Sequence, residues 1–346
     1  MANGNRHKSE IAQIKKHLHI LDEERTQLLA RLKHLEKNGL TPTTAKIENS
    51  ASLSSSEKIT IFRNLFRGRE DVYPLRWDNK KTGRSGYSLA CGNEWVPGVC
   101  DKPKVKCGEC KYQAFPPITD EVIHNHLIGR NPNSPKQQDF IIGVYPLLQN
   151  ETCWFLAVDF DKKCWNKDVS AFTETCREKK IPAYVERSRS GNGAHIWIFF
   201  TQPISASDAR KLGSYILTET MENYPDLGFT SYDRFFPNQD TMPVGGFGNL
   251  IALPLQHYPR QKGNSIFLNE QLEPCADQWQ FLASVRRMTP EEVSNIVSEA
   301  ISRGRITGVR MPLDDENAKE PWKLSPSRKQ KSLIITEPLP ASIVIV

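Results

Sequence analysis

No apolar run in these 346 residues approaches the ~20 needed to cross a bilayer, which predicts a soluble protein with no membrane partner. The opening Met1-Ala-Asn-Gly-Asn-Arg-His7 lacks the apolar stretch of a secretory signal. A cytoplasmic location is therefore expected, with reduced cysteines rather than disulfides. Neither sign of charge is in large excess. A net charge of +6 and a pI near 8.8 are compatible with a polyanionic partner without demanding one. What is present is enough apolar material for a core, with 38% hydrophobic residues and seven tryptophans. That suits one large domain with appendages, or two domains.

The most apolar run, Trp154-Phe-Leu-Ala-Val-Asp-Phe-Asp161, reads as a buried β-strand. Side chains at i and i+2 share a strand face, so Asp159 and Asp161 point to one pocket. Adjacent buried anions need a neutralising cation, and hard carboxylate oxygens suit Mg²⁺ or Mn²⁺. A plainer reading is a polar strand end opening into a loop, helped by Lys162 and Lys163. Two further short strands are expected, Tyr184–Arg187 and His195–Phe200, joined by Ser188-Arg-Ser-Gly-Asn-Gly-Ala194. Gly191 and Gly193 permit a tight turn whose amides form an anion nest. Arg187, Arg189, Ser190 and His195 add donors suited to a triphosphate. A simple hairpin with a core histidine satisfies the same residues.

Asp159-Phe-Asp161 and Ser190-Gly-Asn-Gly-Ala-His195 resemble the first two motifs of the archaeo-eukaryotic primase superfamily. The stretch from Tyr232 through Gly245-Gly-Phe-Gly-Asn-Leu-Ile-Ala-Leu-Pro254 is similar to the primase domain of TOTE conflict systems. The likeness spans residues 58 to 300 or so, over several ordered motifs. It implies an α+β fold with an RRM-like primase–polymerase catalytic core on a mixed or antiparallel sheet. It implies template-dependent nucleotidyl transfer by a DNA primase or DNA-directed polymerase. Asp159, Asp161 and a third acid would take divalent metals, and Ser190 and His195 the triphosphate of the incoming nucleotide. The third acid is Asp233 on a neighbouring strand, or Asp240 in the turn after Pro237. The implied partners are nucleoside triphosphates, a single-stranded DNA or RNA template, and a helicase domain or subunit. Asn249, the backbone after Gly248, Arg260 and Lys262 either line the same cleft or form a solvated loop. A metal-dependent nuclease would use the same carboxylates, but the triphosphate-friendly turn argues against it. A catalytically silent nucleic-acid-binding module is opposed by the intact acid pair and His195. A rolling-circle nickase is opposed by the lack of a second histidine beside His195.

Cys91, Cys100, Cys107 and Cys110, spaced C-x8-C-x6-C-x2-C, form a second constellation. The closing Cys107-Gly-Glu-Cys110 is a zinc-knuckle turn, so a zinc-binding insertion at 91–110 with Zn²⁺ on all four thiolates is expected. Lys102, Lys104, Lys106 and Lys111 flank it, either to touch nucleic acid or merely as solvated charges. Cys153, Cys164, Cys176 and Cys275 follow no pattern.

At the N-terminus Ile11, Ile14, Leu18, Leu21, Leu28, Leu32 and Leu35 make a heptad stripe, with Arg25 in the remaining slot and Asn38-Gly39 as a stop. Residues 1–39 are expected to be a coiled-coil-like helix, self-associating, docking on a partner, or lying on the main domain. A flexible linker at 40–56 leads to the catalytic domain at 57–303. Within it, Ser205 to Tyr224 reads as a helix, and Thr289-Pro-Glu-Glu292 as a capping box opening another to about Ser302. Residues 304–346 turn basic and proline-punctuated, a linker toward a further domain, in TOTE-type proteins a helicase.

Overall fold

The computed structural model describes residues 53–79, 81–131, 139–162, 164–242 and 245–306. The heptad stripe, the 40–52 part of the linker and the tail from 307 lie outside the described residues. So do the self-association and helicase-linker expectations that rest on them.

The first helix, α1 (Ser55–Leu65), precedes an antiparallel hairpin of β1 (Pro74–Asn79) and β2 (Arg84–Leu89). The cysteine-bearing segment follows, with one short 3-10 turn at Cys107–Glu109. Helix α2 (Asp120–Ile128) starts where the Thr119 side chain accepts from Val122 N, and stops at Gly129 in the left-handed region. Next come β3 (Gly143–Val144), β4 (Thr152–Asp161), α3 (Trp165–Glu178), β5 (Tyr184–Arg187) and β6 (Gly193–Ser205). Ser205 caps α4 (Ala206–Asn223) by accepting from Asp208 N. The chain continues through β7 (Tyr232–Phe236), β8 (Ile251–Ala252), α5 (His257–Gln261), β9 (Ile266–Phe267) and α6 (Gln278–Ala283). The last helix, α7 (Pro290–Ser302), opens on the expected capping box, with Thr289 and Glu292 each bonding the other's backbone N–H.

The central sheet has the order β7-β4-β6-β5-β9, and every pairing in it is antiparallel. Strand β3 pairs with β8 in a smaller sheet. Strand β4 is buried on both faces: Phe155, Leu156, Ala157, Val158 and Phe160 have no exposure. On one face Phe160 meets Phe172 of α3, with ring centroids 5.6 Å apart. There Gly213 lets α4 approach closely, since a Cβ would stand 3.0 Å from Leu156 and 2.9 Å from Phe235. On the other face Trp197 and Phe199 take the ring of Phe66 edge-on, at 4.9 and 5.4 Å. Phe155 packs against Trp197 at 5.1 Å. Each such ring, buried, contributes roughly 1.5–3 kcal/mol. This second face also carries Asp159 and His195, so the aromatic cluster supports the site from beneath. Among the described residues no helix is long and apolar enough to cross a membrane.

Candidate active site

Alternation puts Asp159 and Asp161 on one face of β4, and strand register decides what they meet. Asp159 lies opposite His195, and Asp161 opposite Gly193, both on β6. The acid pair therefore borders the Ser188–Asn192 turn that joins β5 to β6. His195 Nε2 stands 3.6 Å from Asp159 Oδ1, with the Asp159 side chain 22% exposed. Burial raises the pKa of the Asp159 carboxyl; His195 and Arg234 pull it down, while Asp233 and Asp161 raise it further. A buried carboxylate among like charges calls for a cation.

Asp233 reaches this neighbourhood through an irregularity. Asp159 pairs with Arg234 on β7, and the next residue, Phe160, pairs with Tyr232. Asp233 is thus the extra residue of a β-bulge, a device that re-aims side chains beside active sites. Its carboxylate accepts from Arg234 Nε at 2.7 Å. Asp240, the other candidate third acid, instead pairs with Arg210 of α4. The start of β7 is pinned from below. Ser231 C=O accepts from Asp161 N–H at 2.6 Å. Ser231 N–H and Oγ–H both donate to Asp168 Oδ2, a buried carboxylate in the first turn of α3.

His195 is held by Glu186 on β5, a residue that the sequence reading passed over. Its Nδ1–H donates to Glu186 Oε2 at 2.9 Å, leaving Nε2 toward Asp159. Trp197 Nε1–H donates to the same oxygen at 3.0 Å, and Ser265 Oγ–H to Oε1 at 3.3 Å. Burial works against an imidazolium, but Glu186, Asp159 and Asp161 outweigh it and push the His195 pKa up to about 9. The only signal in the sequence was an acid inside a strand rather than at its end.

The turn has the backbone that its glycines suggested. Gly191 sits at φ +79°, and a Cβ there would meet Asn264 at 2.8 Å. A Cβ on Gly193 would stand 2.4 Å from the Phe160 carbonyl oxygen. Ser190 Oγ accepts from Asn192 N–H at 3.1 Å. Arg189 is anchored, donating to Gln256 Oε1 at 2.6 Å and standing 3.5 Å from Asp139. Arg187 is a staple, donating to the carbonyls of Gly263 and Leu272 at 3.0 and 3.3 Å. Arg260 likewise donates to Leu127 C=O, tying α5 to α2, while Lys262 is exposed and Asn249 half-buried.

Among the described residues no group of three or more Asp, Glu, His or Cys side chains converges closely enough to hold an ion. For the acids the reason is local: Asp233 is drawn to Arg234, and Asp161 Oδ1 to its neighbour's amide, Lys162 N–H. The donor chemistry of Asp159 and Asp161 still fits a hard divalent cation. The four cysteines line one cavity of about 20 Å³ together with Val99, Lys102 and Val105. Tyr112 N–H points to Cys110 Sγ at 3.4 Å. Among the described residues these thiols do not form a group that could hold an ion. Burial raises the pKa of the Cys107 thiol, and Lys102, its hydrogen-bond partner, is also bound to Glu94.

A family model described as the TOTE conflict system, Archaeo-Eukaryotic Primase domain, matches residues 57–296. The chain belongs to this family. Membership in the TOTE primase-domain family supports nucleotidyl transfer as the general chemistry. No curated protein matches the chain. A solved structure, the polymerase domain of Mycobacterium tuberculosis ligase D in complex with DNA, is similar at 12% identity and a TM-score of 0.33. That similarity covers 72% of this chain and 90% of the other.

Proposed function

We propose that the cleft between the β4 acid pair and the Ser188–Asn192 turn transfers a nucleotide from a nucleoside triphosphate to a growing strand, directed by a single-stranded template. The observation that carries this is the cross-strand register: Asp159 opposite His195 and Asp161 opposite Gly193 set carboxylates against a phosphate-friendly turn. Asp159 and Asp161, with Asp233 as the third acid, would hold Mg²⁺ or Mn²⁺, which supplies charge neutralisation at the reacting phosphate and the attacking oxygen. His195, steadied by Glu186, donates from Nε2 to a phosphate oxygen. Ser190 Oγ orients a further phosphate oxygen, and Gly191 and Gly193 let the nucleotide approach the backbone closely, the Gly191 and Asn192 amides being bonded within the turn. Arg189, fixed by Gln256, adds positive charge behind the turn. Little covalent work is asked of the protein; it positions and stabilises charge.

The test is incubation of the chain with labelled ribo- or deoxyribonucleotides, a single-stranded template and Mg²⁺ or Mn²⁺, with and without a primer. Template-directed incorporation is expected. The Asp159→Ala/Asp161→Ala protein should lose at least about 10²–10³ in rate. Undiminished incorporation by that variant would overturn the assignment. Template degradation without incorporation would replace it with a nuclease.

A further inference from the structure

Among the described residues, Trp77, Trp95 and Tyr112 are the exposed aromatic residues of the chain, at 43%, 65% and 55%. All fall between Pro74 and Phe115, the hairpin and the cysteine-bearing segment. The same stretch contains eight basic and four acidic residues, an excess of four where the whole chain has an excess of six. Lys81, Arg84, Lys104, Lys106 and Lys111 are exposed there, and no ion pair engages them among the described residues.

The segments that carry these aromatic residues are tied to one another. Trp77 pairs with Gly86 across the hairpin and lies over it, since a Cβ on Gly86 would stand 2.8 Å from the indole. Ser88 projects from the same hairpin face and is within 3.5 Å of Glu94. Glu94 accepts from Lys102 Nζ at 2.8 Å, and Lys102 sits 5.9 Å from the centre of the Trp95 ring. Asn93 ties the backbone of Tyr112 to the same segment at 2.9 Å. The hairpin's other face carries Tyr87, whose electrostatic neighbours include Arg189 and Glu186. The hairpin face that carries Trp77 is thus opposite the one whose Tyr87 neighbours the site residues Arg189 and Glu186.

We propose that this region is a stacking surface for single-stranded nucleic acid. Exposed indole and phenol rings interleaved with unpaired lysines fit unpaired bases on a phosphate backbone. A duplex hides its base faces and would find only the lysines. The proposal takes its choice of partner from the nucleotidyl-transfer reading, but it is read by binding, not by turnover.

The experiment is fluorescence anisotropy with labelled oligo(dT), oligo(U) and a DNA duplex, on the full chain at several salt concentrations. Base–aromatic stacking is worth about 1–3 kcal/mol per base, so Trp77→Ala/Trp95→Ala/Tyr112→Ala should weaken single-strand binding at least ~10-fold. Lys104→Glu/Lys106→Glu/Lys111→Glu should weaken both strand types and flatten the salt dependence. Comparable losses for oligo(dT) and oligo(U) indicate stacking without regard to sugar; a loss confined to one still supports the surface and assigns its preference. Melting curves check that the variants fold, and Trp95→Ala alone serves if the triple variant does not. Single-strand affinity within twofold of the parent in the folded aromatic variant overturns the proposal. So does a parent that binds duplex as tightly as single strands. If the parent binds oligo(dT) through these rings yet incorporates no nucleotide, the surface stands and the enzymatic reading falls. Normal incorporation with unaltered affinity in the aromatic variant leaves the enzyme and removes the surface.

Discussion

Glu186 is the side chain on which the site's polar groups converge. One carboxylate, 1% exposed, accepts from an imidazole, an indole and a hydroxyl. Removing it strands those donors in a region that water does not reach, and each buried unpaired donor costs roughly 1–3 kcal/mol. Glu186→Ala should therefore lower unfolding stability by at least about 2 kcal/mol in urea titration. Glu186→Gln keeps the shape and one acceptor oxygen, and should cost less. Equal stability of Glu186→Ala and the parent would show that the network adds nothing. Because His195 depends on this residue for its orientation and its positive charge, nucleotide affinity should fall in both variants while oligonucleotide binding is kept.

At the scale of elements, the site is a matter of how closely β4 and β6 approach. Gly193 permits that approach, because its missing Cβ makes room for the Phe160 carbonyl at 2.4 Å. Gly193→Ala should push the two strands apart beside Asp161. Overpacking of this kind typically costs about 1–3 kcal/mol. Thermal melting should show the loss, with activity falling further than stability alone explains; Asn192→Ala, at an exposed position, is the control.

Periodicity and caps carried much of these elements. The strands expected at 154–160 and 184–187 appear as Thr152–Asp161 and Tyr184–Arg187, and the helix expected at 205–224 as Ala206–Asn223. The Thr289 box appears as read. Strand β6 runs on to Ser205, past Pro203, where the sequence reading stopped at Phe200. The β1–β2 hairpin was missed because Asp78, Asn79 and two lysines mask any alternation. Site residues near in sequence were legible, since i and i+2 on a strand share a face whatever the fold. Glu186 was not, because its partners are set by register with β6 and by a loop at Ser265. Nor was the Asp168–Ser231 clamp, which joins residues 63 apart. The cysteine spacing was legible to the extent that all four thiols line one small cavity, although among the described residues they do not form a group that could hold an ion.

For the molecule as a whole, one buried histidine sets an acid limit. His126 on α2 is fully buried; its Nε2–H donates to Pro254 C=O at 2.9 Å, and Nδ1 accepts from Ile142 N–H at 3.3 Å. The Nδ1 bond requires the neutral ring, whereas the Nε2–H bond to Pro254 favours the charged one; burial prevails and pulls the pKa from 6.5 down to about 4. The unfolded chain takes up the proton first, so the contribution is complete above pH 6.5 and is lost as pH falls toward 4. The gap corresponds to about 3 kcal/mol. Urea midpoints should therefore drop between pH 7 and pH 4.5, and His126→Gln should be less stable at neutral pH with a flatter profile. A parent midpoint independent of pH across that interval would contradict the argument.

The bulge at Asp233 has a consequence for how such a site could be gained or lost. The third carboxylate is borne on a defect in an otherwise regular ladder. Deleting that single residue would let β7 pair with β4 without interruption, and the sheet would close over its own chemistry. On β7, an edge strand, an insertion or deletion of one codon is the smallest step between a chemical edge and an inert one.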